Sequence, residues 1–554
     1  MTAADRPDEA AFAPGTRAPQ SRTRERWPGR LPFVWAPRAH TVEVVLPRAG
    51  GPADRRTLRL VGAHEPGYWR ADDHLPHGTE YAFSIDGGPA LPDPCSTLLP
   101  RGIHGPSQVL DDDFAWHDAA WRGADLTRGV LLHLDVATAT AGGTLDAAVE
   151  LLPAVAALGV DGVELAPIAA FDPSAGPEAG VRLFAVHAPY GGPAALHRFV
   201  DAAHRHGLAV VLDPPHRWAV ADALGLHSFG PYASGARIGP RRGASAGRDT
   251  PRINLDGSGS RGARDFLVAD TCRWLADFHV DGLLLDVEAL VDRSAMPFLG
   301  ELAEAVQTVA ARSGRPRTLL MDGPGRSDRL TTVVGGILAG RDLPARADEL
   351  LAIADEAFPP GGTGSRGPAA FRRAHRATAR SAPLLVGDLT RLPAAVPAIP
   401  WSGTASETPP HPPPASDVDS RAALLAFATL AGTPLVLDTQ HVPVARQDAP
   451  AERLVRWTRR LLALRPASLA DLSLPVEPST GAGLLVVRRG DSALVLATSG
   501  EAVETDLAPH LGETGWRIAA CWRPEATQLL GGRLHLPGRA VVVLRRDDAQ
   551  TAPG

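Results

Sequence analysis

Beyond Gly129 the sequence alternates short, continuous apolar runs with longer amphipathic stretches, and this alternation restricts the possible folds more than any other feature. Strands that are covered on both faces read as unbroken apolar runs, and such strands are typical of parallel sheets. Seven runs fit: GVELAPI, from Gly162 to Ile168, and the runs that end at Asp135, Asp213, Asp286, Asp322, Asp388 and Asp438. Seven runs over about 310 residues predict a (β/α)8 TIM barrel rather than an open sheet. We expect the eighth strand between Val333 and Pro383.

Segments rich in β-strand residues flank the predicted barrel on both sides. From Leu31 to about Ile85, and again from about Leu472, short alternating runs are punctuated by Gly and Pro, which is typical of antiparallel sheets. These segments predict an N-terminal β-sandwich and a C-terminal antiparallel β domain. The expected division is a disordered tail at 1–30, the N-terminal β-sandwich at 31–115, the barrel at 116–465, the C-terminal β domain at 466–546 and a frayed tail at 547–554.

Composition and charge exclude several classes of protein for this chain of 554 residues. A hydrophobic content of 44% and a charged content of 21% are close to globular averages, which excludes wholesale disorder. The formal net charge of −6 argues against a nucleic acid or an anionic membrane as the main partner. The sequence has no apolar run long enough for a transmembrane helix. It also shows no metal or organic cofactor motif, and it leaves the oligomeric state open.

The cysteines indicate the compartment. Cys95, Cys272 and Cys521 lie far apart in the sequence and lack the spacing of a metal site. Such a sparse, odd-numbered set excludes a disulfide scaffold and fits a reducing compartment. We therefore expect a cytoplasmic protein.

Most of the apolar runs end in an aspartate, and this position has a meaning in a barrel. The catalytic groups of (β/α)8 enzymes gather at the carboxyl ends of the strands. The terminal aspartates should therefore converge there and line a carboxylate-rich pocket. For any single aspartate an alternative is open, because it could cap the following helix or accept hydrogen bonds from loop amides.

The sharpest local motif is WLADFHVDGLLLDVEAL, from Trp274 to Leu290, in which a helix, a tight turn and a buried strand lead to Asp286. This motif resembles the fourth strand of the α-amylase superfamily. The segments LPDPCSTLLPRGIHGPSQVLDD and HAPYGGPAALHRFVDAAHRHGLAVVLD are similar, more narrowly, to the malto-oligosyltrehalose trehalohydrolases, and the similarity runs from about Leu31 to Leu544. The resemblance implies retaining hydrolysis of the α-1,4 bond next to a terminal trehalose unit, in trehalose biosynthesis from α-glucan. The implied partner is an α-glucan or maltooligosyltrehalose.

The resemblance also implies roles for individual residues. Asp286 matches the family's nucleophile, and Asp322 stands where the family has its acid/base Glu, so these two form the candidate catalytic pair. Retaining hydrolysis needs two carboxyl groups about 5–5.5 Å apart. The candidates for substrate binding are Asp213, His216, Tyr190 and Glu288. Glu288, two positions past Asp286, could alternatively be a substitute acid or a solvated loop carboxylate.

The sequence departs from the family pattern at several positions. The family's strand-four Arg falls on Leu284, and the Asn-His pair after its third strand falls on Arg217 and Trp218. The family's Asn-His-Asp motif has no visible counterpart, since the chain's single asparagine is Asn254. Asp322 is one methylene shorter than Glu, and misplacing a catalytic group by about 1 Å can lower a rate about 10²-fold.

These departures predict a weak or inactive enzyme. Without the strand-four guanidinium, Asp286 should be oriented less firmly, and preorganised charge is a large part of such catalysis. Two hypotheses follow. One is a working α-glucan hydrolase, and the other is a non-catalytic relative that binds α-glucans or a partner enzyme.

Overall fold

The computed structural model describes most of the chain up to residue 322 and a smaller part beyond it. The described residues are 31–48, 51–60, 67–110, 114–126, 129–234, 251–286, 289–294, 297–322, 419, 422, 426, 435–438, 444, 448–468, 477–481, 484–497, 501–512 and 515–546. The predicted tails, the run that ends at Asp388 and the stretch expected to hold the eighth strand lie outside these ranges.

The N-terminal part consists of antiparallel strands, as its alternating pattern predicts. The strands are β1 Phe33–Trp35, β2 Val42–Leu46, β3 Asp54–Thr57, β4 Arg59–Leu60, β5 Tyr68–Arg70, β6 Glu80–Ile85 and β7 Ser107–Gln108. They form two sheets with the strand orders β1-β5-β4 and β3-β2-β6-β7. Buried residues from both sheets, among them Trp35 and Phe83, join the main hydrophobic core.

The central part alternates strands with helices. Its described strands are β8 Val130–Leu134, β9 Gly162–Leu165, β10 Ala169–Phe171, β11 Val181–Val186, β12 Ala209–Leu212, β13 Ala233–Ser234, β14 Arg252–Ile253, β15 Gly282–Asp286, β16 Thr318–Asp322 and β17 Leu435–Asp438. Its described helices are α1 Val136–Ala139, α2 Leu145–Val149, α3 Leu152–Leu158, α4 Gly192–Arg205, α5 Ser260–Ala276 and α6 Phe298–Ser313. The pairs β10–β11 and β13–β14 are short antiparallel additions.

Within the described residues, six of these strands form one parallel sheet in the order β16-β15-β12-β9-β8-β17. Each of the six corresponds to a run that the sequence predicts as a buried strand. The late strand β17 pairs with the first strand β8, so that Leu435 lies opposite Val130. Closure of a (β/α)8 barrel requires its last strand to pair with its first, so this sheet fits the predicted barrel.

The sheet is buried on both faces, which explains why its strands read as unbroken apolar runs. On one face, residues such as Leu132, Val163 and Leu283 belong to the main core together with helix residues. The opposite face, called the inner face below, carries a separate cluster of Leu126, Leu131, Ala209, Val211, Leu284 and Leu320. Because side chains alternate between faces along a strand, the residue two positions after a cluster member lies on the inner face again.

The C-terminal part is antiparallel, as predicted. It follows the helix α7 Ala449–Ser468, and its elements are β18 Glu477–Gly481, β19 Leu484–Arg489, β20 Ser492–Ala497, β21 Val503–Asp506, α8 Ala508–Leu511, β22 Trp516–Cys521, β23 Gln528–Leu530, β24 Arg533–Leu536 and β25 Val541–Arg546. The strand orders are β18-β19-β20-β25-β22 and β21-β24-β23. None of the helices in the described ranges has the length and apolar character that a membrane crossing requires.

The N-terminal sheets contact the central part through α5. A Cβ atom on Gly262 would lie 2.0 Å from the Trp35 ring, so only glycine lets the helix pass this close. The Trp35 ring also meets the edge of Tyr232 at 5.0 Å between ring centroids. The Tyr68 hydroxyl donates to Asp265 Oδ2 at 2.9 Å. These contacts hold the N-terminal sheets against α5.

A buried ionic network lies at the amino ends of the strands. Asp281, which directly precedes β15, is 1% exposed and accepts hydrogen bonds from three groups: Val210 N, Trp121 Nε1 and Arg317 Nη1. His204 lies near the end of α4, and its side chain is fully buried. Its ring nitrogens lie 2.9 Å from Asp118 Oδ2 and 2.9 Å from Asp281 Oδ2. The network thus joins α4, β12, β15 and the segment before β8.

His197 on α4 lies in an aromatic cluster. Its ring centroid is 4.4 Å from that of Phe278 and 5.0 Å from that of Phe114. Burial lowers the pKa of His197 to about 4, and the positive charge of Arg273 adds to the effect. The folded protein therefore holds this imidazole neutral at pH values where the unfolded chain protonates it.

We expect His197→Phe to make the protein less sensitive to acid. The ordinary pKa of an imidazole is near 6.5, and burial lowers the pKa of the folded one to about 4, so between these values the unfolded chain binds more protons. Stability therefore falls as the pH falls through this window, by about 3 kcal/mol for this one group. Thermal unfolding followed over this range should show a shallower decline for His197→Phe, which fills similar space. Parallel declines for the two proteins would contradict this expectation.

Candidate active site

The two candidate catalytic residues lie at the ends of neighbouring strands. Asp286 is the last residue of β15, and Asp322 is the last residue of β16. In the parallel pairing of these strands Asp286 lies opposite Asp322. Neighbouring strands lie about 4.8 Å apart. The two residues thus occupy the same edge of the sheet, at the carboxyl ends of the strands.

A guanidinium contacts Asp286, although Leu284 stands in the position of the family's strand-four Arg. Arg217 donates to Asp286 Oδ2 from Nε at 3.2 Å and from Nη2 at 3.1 Å. Asp286 Oδ1 accepts a longer hydrogen bond, 3.3 Å, from the backbone N–H of Ala289. The side chains of Asp286 and Arg217 are 27% and 46% exposed, so a ligand can reach the pair. The loop after β12 thus supplies a guanidinium to Asp286, although β15 itself carries none.

The loop after β12 fixes the position of Arg217. Pro214 and Pro215 restrict the backbone just before it. A 3₁₀ turn over His216–Trp218 follows, and the N–H of His216 donates to the Pro214 carbonyl at 2.8 Å. Arg217 is thus carried on a short, restricted turn rather than on a long loop.

His216 is buried beside the ion pair. It is 2% exposed, and burial lowers its pKa to about 4 in spite of the opposing charge of Asp286. The imidazole is therefore neutral at neutral pH and anchors the turn that carries Arg217. This burial weighs against the predicted direct contact of His216 with a substrate.

The other candidates for substrate binding lie on neighbouring elements. Asp213 directly follows β12 and is partly buried. Tyr190 ends the 3₁₀ turn after β11, edge-on to His187 at 4.8 Å. Burial raises the pKa of Tyr190, and the charge of Asp135 adds to the effect. Glu288 lies outside the described residues.

Asp135 illustrates the alternative reading of a strand-end aspartate. It follows β8 and is the N-cap of α1. Its Oδ1 accepts the N–H of Ala137 at 3.0 Å, and its Oδ2 accepts the hydroxyl of Thr138 at 2.9 Å. At this strand end the aspartate caps a helix, which is the alternative to lining a pocket that the sequence left open.

The inner face carries an ionisable pair that sequence reasoning missed. His133 on β8 lies opposite Glu164 on β9, and His133 Nδ1 is 3.6 Å from Glu164 Oε1. His133 lies two positions after the inner-face residue Leu131, and Glu164 lies one position after Val163, which is on the opposite face, so both lie on the same face as Asp286. The Glu164 side chain is 1% exposed and that of His133 21%. The sequence contains a signal for this pair, because His133 and Glu164 each interrupt an apolar run. Ionisable residues are rarely buried in apolar strands unless they are paired.

Within the described residues, no group of His, Cys, Asp and Glu side chains could hold a metal ion.

A cavity of about 300 Å³ lies between α5 and α6 and is lined by Cys272, Arg312 and Arg317, among others. Arg317 directly precedes β16, so this cavity lies near the amino ends of the strands. It is therefore separate from Asp286 at their carboxyl ends.

Comparison of sequences gives the following relatives. The chain is 41% identical to the malto-oligosyltrehalose trehalohydrolase of Arthrobacter ramosus over 296 residues, which is 52% of this chain and 49% of that protein. The protein of the same name from Rhizobium sp. is 38% identical over 304 residues, or 54% and 49%. A 1,4-α-glucan branching enzyme from Corynebacterium jeikeium is 31% identical over 271 residues, or 46% and 37%. The chain thus spans about half the length of the curated relatives it matches most strongly. No protein-family model matches it.

Comparison of structures gives matches over almost the whole chain. An α-amylase-like protein from Salmonella typhimurium has a TM-score of 0.68 at 20% identity, covering 93% of this chain and 97% of that one. A Paenibacillus barengoltzii pullulanase in complex with maltohexaose and α-cyclodextrin has a TM-score of 0.64 at 16% identity, covering 94% of each. At such low identity the likeness shows the fold alone. The chain therefore shares the fold of these multidomain proteins, which fits the parallel sheet described above.

Proposed function

We propose that this chain, a homologue of the malto-oligosyltrehalose trehalohydrolases over about half of its length, binds α-glucans at the carboxyl ends of its parallel strands and hydrolyses them slowly. The proposed substrate is maltooligosyltrehalose, and the proposed product is trehalose. The observation that carries the proposal is the pairing of Asp286 with Asp322 at the ends of adjacent strands.

The proposed reaction proceeds in two displacements. Asp286 attacks the anomeric carbon, the glycosidic C–O bond breaks, and the carboxyl group of Asp322 gives its proton to the leaving oxygen. A water molecule then attacks the same carbon, and the Asp322 carboxylate takes its proton while the bond to Asp286 breaks. Free trehalose, a shortened glucan and the original protonation states result.

The domain division is part of the same proposal. The sheet closes into an eight-stranded barrel within 116–465, between an N-terminal β-sandwich at 31–115 and a C-terminal β domain at 466–546. The antiparallel strands on either side and the pairing of β17 with β8 support this division. A cytoplasmic location stays a prediction from the cysteines.

A non-catalytic α-glucan-binding relative is the second candidate. The buried, neutral His216 favours it, because this imidazole is withdrawn from the edge where a sugar would bind. Trp218 stands where the resemblance places a histidine, and the shorter Asp322 stands where it places a glutamate. Such a protein could retain binding through the strand-end residues without turnover.

One assay separates the two candidates. The purified full chain is incubated with maltooligosyltrehalose, free trehalose is quantified, and maltohexaose binding is measured by calorimetry. Trehalose release supports the hydrolase. Binding without release supports the non-catalytic relative. Neither release nor binding rejects both, leaving a partner-binding protein.

We expect Asp322→Glu to speed hydrolysis. The added methylene carries the carboxyl group about 1 Å further toward the scissile oxygen, and errors of that size cost up to about 10²-fold. We expect kcat/KM for maltooligosyltrehalose to rise about 10-fold. Asp322→Asn should instead lower it, because the amide has no proton to give. Undiminished turnover by Asp322→Asn would show that Asp322 is not the acid/base.

A further inference from the structure

We propose that Arg217 is a positioning residue for Asp286 and supplies, from the loop after β12, the cation that β15 itself does not provide. The inference rests on the proposed function, because it gives Arg217 a part in the same reaction. Arg217 acts through the carboxylate and is not assigned a contact with the substrate.

The geometry of the contact supports an orienting role. Both Nε and Nη2 of Arg217 donate to Oδ2 of Asp286, at 3.2 and 3.1 Å. Charge-assisted hydrogen bonds of this kind restrict the rotation of a carboxylate. Oδ1 has the longer contact of 3.3 Å, to Ala289 N.

The strand beneath Asp286 offers only hydrocarbon on the same face. The side chain two positions earlier is Leu284, which is 3% exposed and packs in the inner-face cluster with Leu320. Neither side chain can donate a hydrogen bond. A guanidinium for Asp286 therefore has to come from another element, and the turn after β12 brings one within hydrogen-bond distance.

The turn is restricted enough for Arg217 to position its partner. A cation on a mobile loop loses side-chain entropy when it forms a pair, which is why many exposed pairs contribute little. Here Pro215 precedes the turn, and the buried His216 anchors it beside Arg217. The backbone of Arg217 is therefore ordered before the pair forms, so the pair can orient Asp286.

The test compares Arg217→Ala and Arg217→Lys with the unchanged full chain. Arg217→Ala removes the group that orients the Asp286 carboxylate and leaves the substrate contacts in place. We therefore expect it to lower kcat about 10²-fold with little change in KM. Arg217→Lys should recover part of the loss, because one ammonium replaces the two-donor fork. Guanidinium ion at a low, non-denaturing concentration should restore much of the activity of Arg217→Ala, since the site is open to solvent. The matched control is Arg198→Ala, which removes an exposed arginine paired with Asp146. Its kcat should equal that of the unchanged chain, and added guanidinium should not raise it.

The outcomes are distinct. An unchanged chain that neither releases trehalose nor forms a covalent adduct at Asp286 with a fluorinated glucosyl fluoride rejects the proposed function itself. If the unchanged chain reacts and Arg217→Ala reacts at the same rate, the positioning inference is overturned. It is also overturned if Arg217→Ala is inactive and neither lysine nor guanidinium restores it, because a structural defect then explains the loss. Loss with rescue by added guanidinium supports the inference.

Discussion

Asp286→Asn is expected to lower the release of trehalose by at least about 10³-fold, the largest effect on activity that we anticipate. The amide of Asn cannot form the covalent glycosyl intermediate, although it keeps nearly the same shape. It also loses the charge that pairs with Arg217 at 3.1 Å. The measurement is the initial rate of trehalose release from maltooligosyltrehalose, with maltohexaose binding measured in parallel.

Binding and folding serve as controls for this variant. We expect maltohexaose to bind Asp286→Asn nearly as well as the unchanged chain, because only one of several strand-end residues is altered. Asp146→Asn is the matched variant, since Asp146 is also paired with an arginine but is 50% exposed on α2. It should retain full activity. Undiminished turnover by Asp286→Asn would remove Asp286 from the mechanism.

Asp281→Ala is expected to lower the stability more than any other substitution considered, by about 3–5 kcal/mol. Asp281 is 1% exposed and accepts hydrogen bonds from Trp121, Arg317 and a backbone N–H, with His204 2.9 Å away. Truncation leaves the buried Arg317 guanidinium without this carboxylate. The first unfolding transition in urea should therefore move to a lower concentration.

The control for this prediction is again at Asp146. Asp146 forms two hydrogen bonds of 2.8 Å with Arg198, so its geometry is no worse than that of Asp281. Its exposure differs, and exposed pairs contribute only about 0–1 kcal/mol. Asp146→Ala should leave the urea transition nearly unchanged. Equal shifts for the two variants would show that burial of the network contributes nothing.

Several features of the fold could be predicted because they are encoded locally. The run before Asp286 is apolar over its whole length because both faces of β15 are covered, and that requirement is visible in the sequence itself. The strand-end position of Asp286 and Asp322 follows from the same runs. Asp135, which caps α1, shows the limit of predicting site residues in this way. An aspartate at a strand end looks the same in the sequence whether it faces a site or caps a helix.

Other features could not be predicted because they join distant parts of the chain. Arg217 and Asp286 are 69 positions apart, and only the adjacency of β12 and β15 brings them together. His204 is 86 positions from Asp118 and 77 from Asp281, and no local pattern links it to either carboxylate. In each case the contact depends on strand order, which local patterns do not encode.

The sequence by itself determined which of the described segments form buried parallel strands and which aspartates follow them. A strand that is buried on both faces is apolar at nearly every position, so the pattern is visible along the chain. The tertiary structure alone decided which cation accompanies Asp286, that Glu164 pairs with His133, and that His204 is buried between two carboxylates. The physical reason is that charge pairing depends on distance in space, whereas the pattern of apolar residues depends on position along the chain.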